Sequence, residues 1–176
     1  MSCGCNALNG GITKGCLGNI GGIRKMYITD FCNITGLTLN SDNSIGGITM
    51  AANTYFYEFE FTKGSSTFQE EFTGDPATGT QLNTQTITLT LARREKAKRD
   101  ILMLLAGYKE LGVIITEANG DSYLMGQENG VIMLTNLSVA GTASTDANNY
   151  VITMVGEETA LAETVDNSII AGLLAP

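Results

Sequence analysis

The sequence predicts a mainly β protein, a β-sandwich or barrel with one flanking α-helix. Three observations carry that prediction. Apolar and polar residues alternate along several short runs, the period of a strand with one buried face. The turns between the runs rely on Gly and Asn, with 21 Gly and only 2 Pro in 176 residues. A single segment, Arg93–Tyr108, has helical spacing of apolar residues. A chain of this length suggests one domain, burying roughly 70% of the surface its unfolded form exposes. The expected division is an N-terminal arm over 1–22, a β domain over 23–158 and a C-terminal arm over 159–176.

Residues 1–22 are rich in Gly, Asn and Cys, show no periodicity, and read as an arm that a partner orders. Ile23–Phe31 is the first strand, Asn33–Ser44 is turn-rich, and Ile45–Met50 is short and weakly strand-like. Tyr55–Phe61 is the cleanest strand. Tyr55, Tyr57, Phe59 and Phe61 share one face, expected in the core, with Phe56, Glu58 and Glu60 on the other. Ser66–Phe72 follows, with Phe68, Glu70 and Phe72 on one face, then a loop over Thr73–Thr80 and a strand over Thr86–Ala92. In the helix, Ala97, Ile101, Leu104, Leu105 and Tyr108 form the expected apolar stripe, and Gly107 or Gly112 ends it. Beyond it, Asn119-Gly120 and Asn129-Gly130 each read as a type I′ hairpin turn, whose two central residues need positive φ. A polar loop and a last strand, Tyr150–Val155, complete a meander. In the tail, Ile169, Ile170, Leu173 and Leu174 are too apolar to stay in water. They should dock on the domain or on a neighbouring subunit, and the reading taken is an inter-subunit arm.

Net charge is −8, unevenly spread. Lys109 is the last basic residue, and residues 110–176 carry carboxylates alone. Such a region repels phosphates, which excludes a grip on a nucleic-acid backbone but not the passage of DNA. Arg93, Arg94, Lys96, Lys98 and Arg99 crowd the start of the helix, where cations oppose the macrodipole. They are candidates for contact with the acidic half of a neighbouring copy. No apolar run reaches the ~18 residues of a membrane span, and Met1–Asn6 does not open a signal peptide.

The chain has no His, which removes the commonest general base and a frequent metal ligand. Cys3, Cys5, Cys16 and Cys32 fit no zinc spacing and read as free thiols. Glu58 and Glu60 share a face, but they are next-but-one neighbours on one strand without a cleft, a poor acid–base pair. Asn119-Gly120-Asp121 and Glu128-Asn129-Gly130 lack the ligand alternation of calcium loops. No enzyme, cofactor or metal is expected.

Five segments occur in a familiar order: Gly21-Gly22-Ile23-Arg24-Lys25-Met26-Tyr27-Ile28, Tyr55–Phe61, the helix with Leu102–Leu105, Asn119-Gly120 through Tyr123-Leu124-Met125-Gly126 to Asn129-Gly130, and Asn149–Glu158. Spanning about residues 20–158, that order resembles the tail tube (major tail) proteins of tailed bacteriophages, particularly those of phages of Bacteroidetes hosts. The resemblance implies a tail-tube-like β-sandwich or barrel with one flanking helix. It implies a virion structural protein, assembled in the host cytoplasm, whose six-membered rings stack into a tube that conducts DNA during ejection. The partners implied are further copies of itself and other tail proteins (tape measure, sheath, connector or terminator), with DNA in transient passage. Glu58, Glu60 and Glu70 are the channel-lining candidates. Ile169, Ile170, Leu173 and Leu174 join the basic cluster as inter-subunit candidates. A secretion-tube protein, or a pilin- or adhesin-like fibre subunit, is the alternative.

Overall fold

The computed structural model describes residues 11–12, 20–62, 64–75, 77–107 and 110–176. Among these residues the fold is mainly β: eleven strands in one mixed sheet, with two α-helices. The strands are β1 (Ile23–Asp30), β2 (Ile34–Leu39), β3 (Ile45–Met50), β4 (Tyr57–Phe59), β5 (Thr67–Asp75) and β6 (Thr80–Ala92). After helix α1 (Lys96–Gly107) come β7 (Leu111–Glu117), β8 (Ser122–Met125), β9 (Val131–Val139), β10 (Asn149–Glu158) and β11 (Glu163–Val165), and helix α2 (Asn167–Leu173) closes the chain. The order across the sheet is β2-β3-β11-β8-β7-β9-β10-β6-β5, with β1 paired to β7 and β4.

One apolar cluster joins β6 and β10 to β1, β7 and α1, so the sheet folds over on itself around this main core. Ile87, Leu89 and Leu91 from β6 meet Met26 and Ile28 from β1 and Val113 and Ile115 from β7. The opposite faces of β1 and β7 are buried as well. Tyr27 and Ile114 belong to a second cluster with Ile45, Phe56, Leu124, Ile170 and Leu173. Strands covered on both faces read as continuous apolar runs, and Leu111–Ile115 is buried at every position.

Several expectations are corrected. Asn119-Gly120 does join paired strands, but Gly120 has positive φ (101°) and Asn119 is not among the positive-φ residues. The Glu117 N–H donates to the Asp121 carbonyl and the Gly120 N–H to the Glu117 carbonyl, so the loop is a turn closed by one left-handed Gly rather than type I′. Asn129-Gly130 is no hairpin at all. β8 and β9 lie on opposite sides of β7, so that loop crosses the end of β7 and the meander is broken. Tyr55–Phe61 shrinks to a three-residue β4. Phe56, expected to face outwards, is fully buried, while Tyr57 is exposed. Phe56 is held by its own N–H donating to the Leu173 carbonyl and its carbonyl accepting from Ala175 N–H. The turn-rich stretch contains β2, and β5 and β6 extend into the expected loop over Thr73–Thr80.

The helix begins at Lys96 rather than Arg93, which sits before it at φ 61°. Leu102 and Leu105 are its buried residues, while Ile101 and Leu104 of the expected stripe are exposed. Tyr108 lies outside the described residues. The 159–176 tail is part of the domain, since α2 packs its Ile170 and Leu173 into the second core. Asp166 caps that helix, accepting from Ser168 N–H at 2.9 Å.

Candidate functional site

The feature that stands out is the half-sheet β5-β6-β10-β9. Its strands contain no Lys or Arg. On β6, Asn83, Gln85, Ile87, Leu89 and Leu91 point inwards, and Thr84, Thr86, Thr88 and Thr90 point out. The registers align outward rows across all four strands, although β5 from Glu71 on and β9 from Leu134 to Ser138 are exposed at every position. Thr67, Thr88, Thr153 and Thr135 fall in one row, and Gln69, Thr86, Val155 and Ile132 in the next. Glu71 and Glu157 flank Thr84 in the third row. With strands ~4.8 Å apart, those two carboxylates stand roughly 10 Å from each other. Threonine suits such a face: its β-branch favours the strand and its hydroxyl meets water.

Among the described residues neither outer edge of this half-sheet is paired along its length with a further strand, although α1 approaches β9. β5 pairs with β6 alone. β9 pairs with β10 along its length and touches β7 only at Leu111↔Val131, so its far edge from residue 132 on has no strand beside it. Ile132, Leu134 and Leu137 on β9 are exposed. Unpaired strand edges with apolar side chains are templates for another chain.

The inner face of the same half-sheet has a polar end that fixes the crossing loop. The Glu158 carboxylate accepts from the N–H groups of Glu128 and Asn129, at 2.9–3.2 Å. Gln85 Oε1 accepts from Gly126 N–H at 3.1 Å. Burial pushes the Glu158 pKa above the usual carboxylate range, and the two backbone N–H groups pull it back in part. Glu70 lies on this inner side, accepting from Ala162 N–H at 2.7 Å, and ties the C-terminal segment to β5.

Of the channel candidates, then, Glu70 is beneath the sheet and not on its open face. Glu58 is on β4, 3.1 Å from Lys25 Nζ, and Glu60 follows it, exposed. The structure does not bring the three together. The carboxylates in the outward phase of these strands are Glu71, Asp75 and Glu157. Part of the signal was present in the sequence: Glu70 alternates in phase with the half-buried Phe68, whereas Phe72 in the same phase is exposed.

Of the inter-subunit candidates, Ile170 and Leu173 are buried, and Ile169 and Leu174 pack against the same core, so the chain's own domain takes up all four. The basic cluster finds local partners. Arg93 Nε is 3.0 Å from Glu95, Lys96 Nζ is 3.3 Å from Asp100, and Lys98 Nζ donates to the Ala92 carbonyl at 2.7 Å. Arg94 lies over the Tyr150 ring at 5.9 Å, and Arg99 is exposed. Lys98 turns back onto the strand end just before the helix, which eases part of the dipole conflict.

Among the described residues, no group of three or more His, Cys, Asp or Glu side chains is placed to hold a metal ion, and no helix is long and apolar enough to cross a membrane. Cys32 is an exposed free thiol. Cys3, Cys5 and Cys16 lie outside the described residues.

No protein family, curated protein or solved structure matches the chain.

Proposed function

We propose that this protein is a self-assembling structural subunit of a phage tail tube. Its copies join β5 to β9 around a ring, and the rings stack into a channel for DNA. The observation that carries the proposal is the half-sheet that ends in two edge strands and whose uncovered face sets a row of threonines, Glu71 and Glu157 among Val155 and Ile132, with no cation on its strands. An open edge meeting a different open edge is a heterologous contact, which closes into a ring when the rotation allows. Six copies of four strands would make a barrel of about 24 strands, roughly 45 Å across between backbones, from the ~4.8 Å strand spacing and the usual tilt. That is wide enough for a duplex. A wall of Thr, Glu71 and Glu157 repels phosphates and gives DNA nothing to stick to. The resemblance noted in the sequence adds the ring number, the stacking and the tail partners. The protein in this reading is no enzyme and needs no cofactor, and its place is the virion tail.

Negative-stain microscopy of the purified full chain tests this. Rings or tubes with a central hole are expected. Thr135→Lys, which puts a charge on the β9 edge, should abolish them while leaving the circular dichroism unchanged. Glu71→Lys/Glu157→Lys should keep the rings and make them retain DNA in a salt-sensitive way. Thin fibres from the wild type would favour the surface-fibre reading, because the same edges propagate without end if the rotation does not close. A monomer at high concentration would overturn both.

A further inference from the structure

The half-sheet β5-β6-β10-β9 ends in two strands of equal length, nine residues each. Every neighbouring pair within it is antiparallel, so β5 and β9 run in opposite directions. Rotation about one ring axis therefore brings β5 of one copy antiparallel to β9 of the next. Each of the two strands exposes a large apolar side chain near its middle. Phe72 on β5 is 63% exposed and Leu134 on β9 is 61% exposed. Leu134 is the extra residue of a bulge, since Met133 and Thr135 pair with the adjacent Met154 and Thr153 of β10. α1 approaches β9, yet the strand is exposed at every position from Leu134 to Ser138.

We infer that β5 of one copy pairs with β9 of the next in a single register, with Phe72 set against Leu134. The inference rests on the self-assembly proposed above and specifies its contact. With the strand ends aligned, Thr67 lies beside Val139, Phe72 meets the bulged Leu134, and Thr73 follows beside Ile132. The chemistry selects unlike edges. β5 carries Glu70, Glu71 and Asp75, whereas β9 has no charged residue. Two β5 strands with aligned ends would set Glu71 against Glu71, and like charges directly opposite are unfavourable. Two β9 strands would set Leu134 against Asn136 and leave Phe72 in water. The closure geometry selects the same register. The outward row Gln69-Thr86-Val155-Ile132 continues into Thr73 of the next copy, a shift of four residues (69 to 73) over four strands. One residue (~3.4 Å) along for each strand (~4.8 Å) across tilts the strands by about 35°, a usual tilt for a closed barrel. A shift of two would give only about 20°, and an odd shift would turn the outward face inward.

Engineered disulfides test the register. A Phe72→Cys/Leu134→Cys full-length chain is assembled and mildly oxidised, and its links are mapped by mass spectrometry, which separates them from those of the native cysteines. A Phe72→Cys/Asn136→Cys chain, two residues out of register, is the control. Within one chain β5 and β9 are three strand spacings apart, ~14 Å, so a 72–134 link joins two copies. The expected result is 72–134 links severalfold more abundant than 72–136 links. Equal yields, or no link at 72–134, would overturn the register. Predominant 72–72 or 134–134 links would overturn the joining of unlike edges. As a readout without oxidation, Leu134→Ser should lower assembly severalfold with unchanged circular dichroism. The exchange Phe72→Leu/Leu134→Phe should assemble as the wild type does. Undiminished assembly of the first, or loss of assembly in the second, counts against the pair. Rings that form without 72–134 links defeat this register alone, whereas linked open chains without rings support it and defeat the closed ring.

Discussion

The two halves of the sheet solve the burial problem differently. Around β1, β7 and β8 both faces are covered, one by the folded-over sheet and the other by α2, β3 and Phe56. In β5-β6-β10-β9 only the inner face is covered, and β6 and β10 alternate buried and half-exposed residues along most of their length. The first half is covered on both faces and ends at the partly exposed edge strand β2. The second keeps one face in water and ends at the edge strand β5. Among the described residues, α2 seals the outer face of one half-sheet, and α1 packs on the inner side of the other.

That contrast is broken most sharply by removing a side chain from the doubly covered half. Phe56→Ala should cost ~3–5 kcal/mol, because the ring is fully buried and its main chain is bonded to the segment after α2. Thr88→Ala on the bare face should stay within about 0.5 kcal/mol. Denaturant midpoints of the two variants check this, and similar losses would erase the distinction. A smaller effect is expected where the halves are joined. Gly126 sits at φ +68°, and a Cβ there would lie 2.6 Å from the Gly130 carbonyl carbon. Gly126→Ala should therefore cost the ~1–2 kcal/mol of a left-handed non-Gly residue, and more if the crossing loop cannot shift. An unchanged midpoint would show that the loop is looser than its contacts indicate.

The smallest effect concerns pH at the same junction. Burial raises the Glu158 pKa in the folded protein, so the folded state holds that proton more tightly than the unfolded chain. Its contribution is fully present below the unfolded value, near 4.3, and is lost as pH rises through the raised folded value. Asp42, Asp75, Asp146 and Asp166, lowered by hydrogen bonds, act in the opposite direction: their contribution is present above the unfolded aspartate value and is lost as pH falls through the folded ones. The difference between wild type and Glu158→Gln isolates the glutamate. The stability of the wild type relative to the variant should fall as pH rises from the unfolded carboxylate value towards neutrality, and a flat difference would refute the assignment.

Much of the β framework was legible. Strands are expected from the sequence at β1, β5, β6 and β10, whereas Glu70, expected in a channel, shares the phase of Phe68 and lies on the inward side of β5. The short runs misled. Tyr55–Phe61 alternates well, yet the phase is inverted at Phe56 because this segment pairs with β1 on one edge and meets the end of α2, a packing that two-residue periodicity does not encode. On α1, Leu105 of the expected stripe faces the core, but Leu102 joins it there while Ala97, Ile101 and Leu104 stay exposed. Two apolar stripes on one helix cannot be ranked from spacing alone.

By itself, the sequence determined a mainly β chain with one central helix, a turn at Asn119-Gly120, and a second half without a single cation. These follow from local rules: side-chain period, the φ freedom of Gly, and charge that needs no partner to be counted. Only the tertiary structure decided that β8 and β9 flank β7 instead of pairing, because the loop between them is held from outside by Glu158 and Gln85. It also decided that the apolar tail seals its own domain, and that Glu71 and Glu157, not Glu70, stand on the open face. Each of those outcomes depends on contacts between residues distant along the chain, and the energy of such contacts appears only once the sheet has closed.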